Sequence, residues 1–206
     1  MKTNKYIIST SVIIFLFIIV FAYTQKAEDY FKSGEVKYKQ KDYKGAIQDF
    51  NKAIELNPKD AYAYLYRGGG KSELQNHKGA IQDYTKAIEL NPKLMEPYYN
   101  RGFDKAELKD YKGAVQDYTK AIELNPNYAD AYLNRGVAKG KLKDYKGANS
   151  DFNKAIELNP KNSGAYYVRG LAKIGLGQKD SGCLDLSKAG ELGYAEAHET
   201  IKKYCN

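Results

Sequence analysis

The chain has 206 residues and a formal net charge of +8, with 28% charged and 43% apolar residues. That length accommodates one domain or one extended array, and the balance is that of a folded chain rather than a disordered one. Two Cys and two His exclude a zinc-finger cluster, a Cys-rich disulfide scaffold and most His-based active sites; Tyr reaches 20 while Trp is absent.

Residues 1–24 stand apart. Lys2 and Lys5 precede a dense apolar run from Val12 to Ala22, extended backward by Ile7 and Ile8, with no acid. A basic start, a short apolar core and small residues at its end read as a secretory signal peptide, with cleavage after Ala22. The rival reading is a retained N-terminal anchor, with membrane association through residues 7–22. Tyr6 to Tyr23 is 18 residues, about 27 Å of helix against a bilayer core of about 30 Å. No Cys follows the run, so lipid attachment is not indicated. Either reading exports the rest of the chain and leaves Lys2 and Lys5 in the cytoplasm, so a periplasmic, secreted or membrane-anchored location is expected.

The remainder is one sentence repeated. KGAIQDFNKAIELNP, KGAIQDYTKAIELNP, KGAVQDYTKAIELNP and KGANSDFNKAIELNP end at Pro58, Pro92, Pro126 and Pro160, 34 residues apart. Counting back from the prolines gives repeats at 27–60, 61–94, 95–128, 129–162 and 163–196. In the second repeat Tyr64, Leu65 and Gly68, and then Ala80, Ile81, Tyr84, Ala87, Ile88 and Leu90, follow the spacing of helix faces. Asp42, Asn76, Asp110 and Asp144 are natural N-caps for the second helix. Asn-Pro closes each of the first four repeats, because Pro cannot continue a helix and the residue before it avoids helical angles. Each repeat is therefore two antiparallel helices, and stacking buries what one pair cannot. The fold class is all-α, a right-handed α-solenoid of five helix-turn-helix repeats. Residues 195–204 form a further short helix, a C-terminal cap whose end is 197–206.

These residues carry a resemblance. The chain resembles the tetratricopeptide repeat (TPR) proteins of the bacterial exported type. The small eighth residue is Gly34, Gly68, Gly102, Gly136 and Gly170, and the fourth-place aromatic is Tyr30, Tyr64, Tyr98, Tyr132 and Tyr166. Ala46, Ala80, Ala114 and Ala148 hold the twentieth place. Phe50, Tyr84, Tyr118 and Phe152 hold the twenty-fourth, and Ala53, Ala87, Ala121, Ala155 and Ala189 the twenty-seventh. The fifth repeat departs, with Gly182 for the alanine, Leu186 for the aromatic and Tyr194 for the proline. Its second helix is expected to be looser.

The four arginines of the chain, Arg67, Arg101, Arg135 and Arg169, all take the seventh place. Asp49, Asp83, Asp117, Asp151 and Asp185 take the twenty-third. Pairing across repeats is expected: Arg67–Asp49, Arg101–Asp83, Arg135–Asp117, Arg169–Asp151, with Asp185 to Lys203. Guanidinium forks suit such partly buried carboxylates. Cys183 and Cys205 could form a disulfide in an oxidising space, or be two small apolar residues in the cap interface.

The resemblance implies that the second, fifth, ninth and twelfth places line a concave groove. It assigns partner binding to Phe31, Tyr62, Leu65, Tyr99, Phe103, Leu133, Val137, Tyr167 and Leu171, with Glu28, Glu96 and Asp130 at the lip. Large aromatics at low entropic cost suit a peptide-binding face. The Lys/Asn clamp by which chaperone-binding TPR domains hold a terminal carboxylate is not recognisable. No P-loop, G-x-S-x-G, HExxH or metal-ligand spacing is present. Gly68–Gly70 lies in a helical frame, His77 stands where sister repeats carry Tyr, and His198 is alone on the cap. No catalytic residue, metal, cofactor or small-molecule substrate is expected. Lysines spread over every repeat, with Glu three residues on in KAIEL, make no nucleic-acid stripe. The reading is a non-catalytic protein–protein interaction module or assembly scaffold. The alternative is a membrane-tethered structural envelope protein contacting membrane or wall polymers through its basic exterior.

Overall fold

The structure is a computed structural model describing residues 10–205, with side chains from residue 23 onward. The first nine residues of the N-terminal segment, with Lys2, Lys5, Ile7 and Ile8, lie outside the described residues. Among those described, every regular element is a helix. They form two bodies, residues 10–90 and 91–205.

The first body holds α1 (Thr10–Lys39), α2 (Tyr43–Leu56), α3 (Ala61–Glu73) and α4 (His77–Leu90). α1 runs without a break from the apolar segment into the first helix of the first repeat. Among the described residues no helix is long and apolar enough to cross a membrane. The second body holds α5 (Glu96–Glu107), α6 (Tyr111–Leu124), α7 (Ala129–Lys141), α8 (Tyr145–Leu158), α9 (Ser163–Gly175), α10 (Lys179–Glu191) and α11 (Ala197–Tyr204). Within each body every helix packs against its chain neighbours.

The turns explain this regularity. Asp42, Asp110 and Asp144 cap the second helices, each carboxylate accepting the N–H three residues on at 2.9–3.0 Å, and Asn76 does so at 3.1 Å. A capping side chain of this kind contributes about 1 kcal/mol. The first helices end in a left-handed residue at the fifteenth place: Lys41, Gln75, Lys109, Lys143 and Gly177. The next N–H then reaches back five residues, as Asp42 to the Lys37 carbonyl at 2.9 Å, closing a Schellman turn.

The core sits between the two helices of each repeat. The eighth-place glycine makes room for the ring sixteen residues on: a Cβ at Gly136 would lie 2.5 Å from the Phe152 ring, and one at Gly34 2.6 Å from Phe50. Phe50, Tyr84, Tyr118 and Phe152 are consequently buried, with the small twentieth- and twenty-seventh-place alanines beside them.

The fifth repeat corrects one expectation. α10 is not loose. Gly182 brings its backbone so near α9 that an added Cβ would be 2.8 Å from the Gly170 carbonyl oxygen. Leu186 is fully buried in the aromatic's place. Tyr194, in the proline's place, stacks on Tyr167 with centroids 4.4 Å apart. Three departures from the pattern thus compensate one another. α11 buries Ala197, and a disulfide joins Cys183 of α10 to Cys205 just after α11, with Cα atoms 5.8 Å apart.

Candidate functional site

The ion pairs do not run as expected. Each arginine pairs with the aspartate of its own repeat. Arg67 Nε and Nη2 donate to Asp83 at 2.9 and 2.6 Å, and Arg101 to Asp117 at 2.9 and 2.7 Å. Arg135 forks Asp151 at 2.9 and 2.7 Å, and Arg169 forks Asp185 at 2.7 and 2.6 Å. The expected pairings Arg67–Asp49, Arg101–Asp83, Arg135–Asp117, Arg169–Asp151 and Asp185–Lys203 are therefore replaced. The reason is the hairpin itself: its turn brings the seventh place of the first helix opposite the twenty-third of the second.

A tie between repeats survives in the third guanidinium nitrogen. Arg67 Nη1 donates to Asn51 at 2.7 Å, Arg135 Nη1 to Thr119 at 3.1 Å and Arg169 Nη1 to Asn153 at 2.9 Å. These acceptors are the twenty-fifth residues of the preceding repeats. The first repeat has no predecessor, and Ser33 there donates to Asp49 at 2.6 Å instead.

A second cation was missed by the sequence reading. Lys37, Lys71, Lys105, Lys139 and Lys173, all at the eleventh place, contact the same aspartates at 2.6–2.8 Å. Five lysines at one place in five repeats were the available signal. A buried carboxylate with two cations on it is held rigidly, because removing either leaves its charge less compensated. Burial pushes the Asp49 carboxyl up, but the hydrogen bonds from Lys37 and Ser33 outweigh it and hold its pKa below the usual value. Each arginine also lies over the fourth-place tyrosine of its own repeat, at 5.3 Å for Arg67 on Tyr64. This network is architecture.

The nine groove residues divide by place. At the fifth place, side chains mostly pack inward. Phe31 lies 5.7 Å from Phe50 and 5.5 Å from Tyr66, and Leu65 is buried against Ala80, Tyr84 and Ala87. Tyr99 packs on Tyr118 and Tyr128, and its hydroxyl accepts from Asn134 at 2.8 Å. Leu133 joins Val137 against Phe152. Tyr167 stacks on Tyr194 and its hydroxyl pairs with Thr200 at 3.1 Å. At the second and ninth places, Tyr62 is 48% exposed and Phe103 44%. Val137 and Leu171 line a cavity of about 260 Å³ bounded by α7, α8 and α9.

Models of the TPR repeat match residues 34–68, 73–103 and 105–143, and a tetratricopeptide repeat model matches 129–162. The chain belongs to the tetratricopeptide repeat family. A search of curated protein sequences finds no match. Among solved structures, the MamA protein is 27% identical with a TM-score of 0.76, over 87% of this chain and 96% of that one. YrrB, described as a TPR protein with an unusual peptide-binding site, is 22% identical with a TM-score of 0.76, over 88% and 98%. PilF of Pseudomonas aeruginosa is 19% identical with a TM-score of 0.73, over 84% and 78%. The architecture is thus the TPR α-solenoid, five helix pairs followed by a C-terminal helix.

Among the described residues no His, Cys, Asp and Glu cluster has the composition of a metal site. The aspartates of the TPR frame are committed to Arg and Lys. Of the nine groove residues, Tyr62 and Phe103 are the ones left largely in solvent.

Proposed function

We propose that this TPR chain is a non-catalytic protein–protein interaction module that binds a peptide or protein surface through exposed second- and ninth-place side chains of its first helices. The observation that carries this reading is the exposure of Tyr62 and Phe103, large rings standing in solvent on otherwise well-packed helices. Buried against a partner, such rings give large contact area at low conformational cost. The likeness to YrrB, described as having an unusual peptide-binding site, lends support. Export is part of the proposal, supported by the basic and apolar N-terminal segment and by a Cys183–Cys205 pair placed to close a disulfide.

The experiment is affinity capture from an envelope extract with the full chain, beside a Tyr62→Ala/Phe103→Ala variant. Both residues are exposed, so the variant keeps its helical signal and melting temperature. A partner held by the parent and released by the variant, at low and moderate salt alike, supports the reading. Capture unchanged by the variant, or abolished by moderate salt, assigns binding to the charged exterior and ends it.

A further inference from the structure

The repeats allow one region of the molecule to be compared with another, and the comparison singles out the cavity between α7, α8 and α9. Its walls are Val137, Tyr145, Phe152, Val168, Leu171 and Ala172, with Gly140 and Lys141 at one side. In the first pair of repeats the corresponding space is full. Tyr38, at the twelfth place, packs edge-on to Tyr43 at 5.3 Å and to Tyr66 at 6.1 Å. Its hydroxyl lies 3.0 Å from where a Cβ on Gly69 would be. The residues at these three neighbouring places in the fourth and fifth repeats are Tyr145, Val168 and Leu171, all on the cavity wall. The residue at the twelfth place there is Gly140, and a Cβ added to it would meet nothing within 4 Å. The cavity is therefore the space that the Tyr38 ring occupies in the first pair, left open at the twelfth place by Gly140 and narrowed at the ninth by Leu171, where the first pair has Gly69.

An open apolar cavity forfeits packing contacts, and they are recovered if a partner supplies the missing ring. The wall carries one cation, Lys141, which has no ion-pair partner among the described residues, and no acid. We propose that this cavity is a socket for one aromatic side chain of a partner peptide, with an acidic neighbour meeting Lys141. The proposal rests on the interaction-module reading and names the chemistry its partner presents.

The test is a methyl NMR titration of the full chain with the peptide acetyl-Asp-Phe-Asp-amide, beside acetyl-Asp-Ala-Asp-amide and acetyl-Lys-Phe-Lys-amide. The Phe peptide is expected to move the Val137, Val168 and Leu171 methyls in the millimolar range, and the Ala peptide to bind about tenfold more weakly or less. Gly140→Tyr refills the space from within, as Tyr38 does, and abolishes these shifts, while Gly140→Ala leaves them. Lys141→Glu reverses the preference between the acidic and basic Phe peptides. The socket is overturned if the acidic Phe peptide leaves the three methyls of the parent unmoved, or if Gly140→Tyr folds and binds as the parent does. The parent titration decides the matter even if Gly140→Tyr fails to fold. Unmoved methyls with partner capture still dependent on Tyr62 and Phe103 end the socket and leave the interaction reading standing. Moved methyls without any captured partner leave the socket and end that reading.

Discussion

Arg67 and Asp83, sixteen residues apart, form a two-pronged ion pair across the hairpin of one repeat, with Nη2 to Oδ1 at 2.6 Å and Nε to Oδ2 at 2.9 Å. The arrangement recurs at Arg135 and Asp151, where Lys139 also reaches the carboxylate at 2.7 Å. Arg135→Ala leaves a nearly buried aspartate with one cation and is expected to cost about 2–4 kcal/mol. A double-mutant cycle of Arg135 with Asp151 should give a coupling of about 1–3 kcal/mol, and one with Asp117 a coupling near zero. Urea denaturation of the four variants reads both. Coupling to Asp117 instead would sink the assignment.

The same pair shows what the sequence could and could not carry. Period, helix faces and caps were legible because each is a local preference repeated at a fixed interval. Asp42, for example, caps α2 through its own backbone neighbourhood. The aspartate partner was not, because the seventh and twenty-third places recur in every repeat, so spacing alone fits pairing within a repeat and pairing between repeats equally. Only the packing of the hairpin decides: it sets the fork within the repeat and leaves Nη1 for the one before. The groove residues divided for a related reason. Fifth and ninth places share a helix face, but Tyr99 leans onto Tyr118 whereas Phe103 finds no ring to cover it. Gly182 read as a defect in sequence and is a close contact in the structure, since its loss of a side chain is matched by Gly170 opposite.

The left-handed fifteenth place offers a gain in stability. Lys109 and Lys143 hold φ of 63° and 64°, a region that costs a side chain about 1 kcal/mol and costs glycine almost nothing. The fifth repeat already carries Gly177 there. Lys109→Gly and Lys143→Gly should each stabilise the chain by about 0.5–1 kcal/mol, additively, because both side chains are exposed. Lys105→Gly, in the last turn of α5 and on Asp117, should destabilise instead. Thermal melts of the three variants distinguish a backbone effect from the mere loss of a lysine.

The Cys183–Cys205 bond closes a separation of 22 residues. In the chain-entropy model that is about 3 kcal/mol of stability, carried by the unfolded state. Reduction, or Cys205→Ser, should lower the melting temperature of the second body. Hydrogen exchange should rise first in α11, whose other anchors are Ala197 and the Tyr167–Thr200 contact. Unaltered exchange in α11 on reduction would show that packing alone holds that helix.

Alkaline pH should unfold the chain through its tyrosines. Burial pushes the Tyr38 hydroxyl up to about 12, with the Glu73 charge and its neighbours Tyr43 and Tyr66 adding to the shift. Tyr99 and Tyr118 are raised further, again chiefly by burial, with Tyr128 the next cause at Tyr99 and Tyr99 the next at Tyr118. A folded-state pKa above the unfolded one means that the folded chain holds its proton more tightly. The resulting stability is complete below pH of about 10, where the unfolded phenol is also protonated, and is lost as pH rises through about 12. Phenolate absorbance should therefore climb in two stages, the second being that of the buried Tyr38, Tyr99 and Tyr118 together with the loss of helical circular dichroism. Tyr38→Phe keeps the ring and removes the ionisable group, so the second stage of the first body should move to higher pH. A single stage near 10 with the helices intact would mean that the buried hydroxyls reach solvent without unfolding.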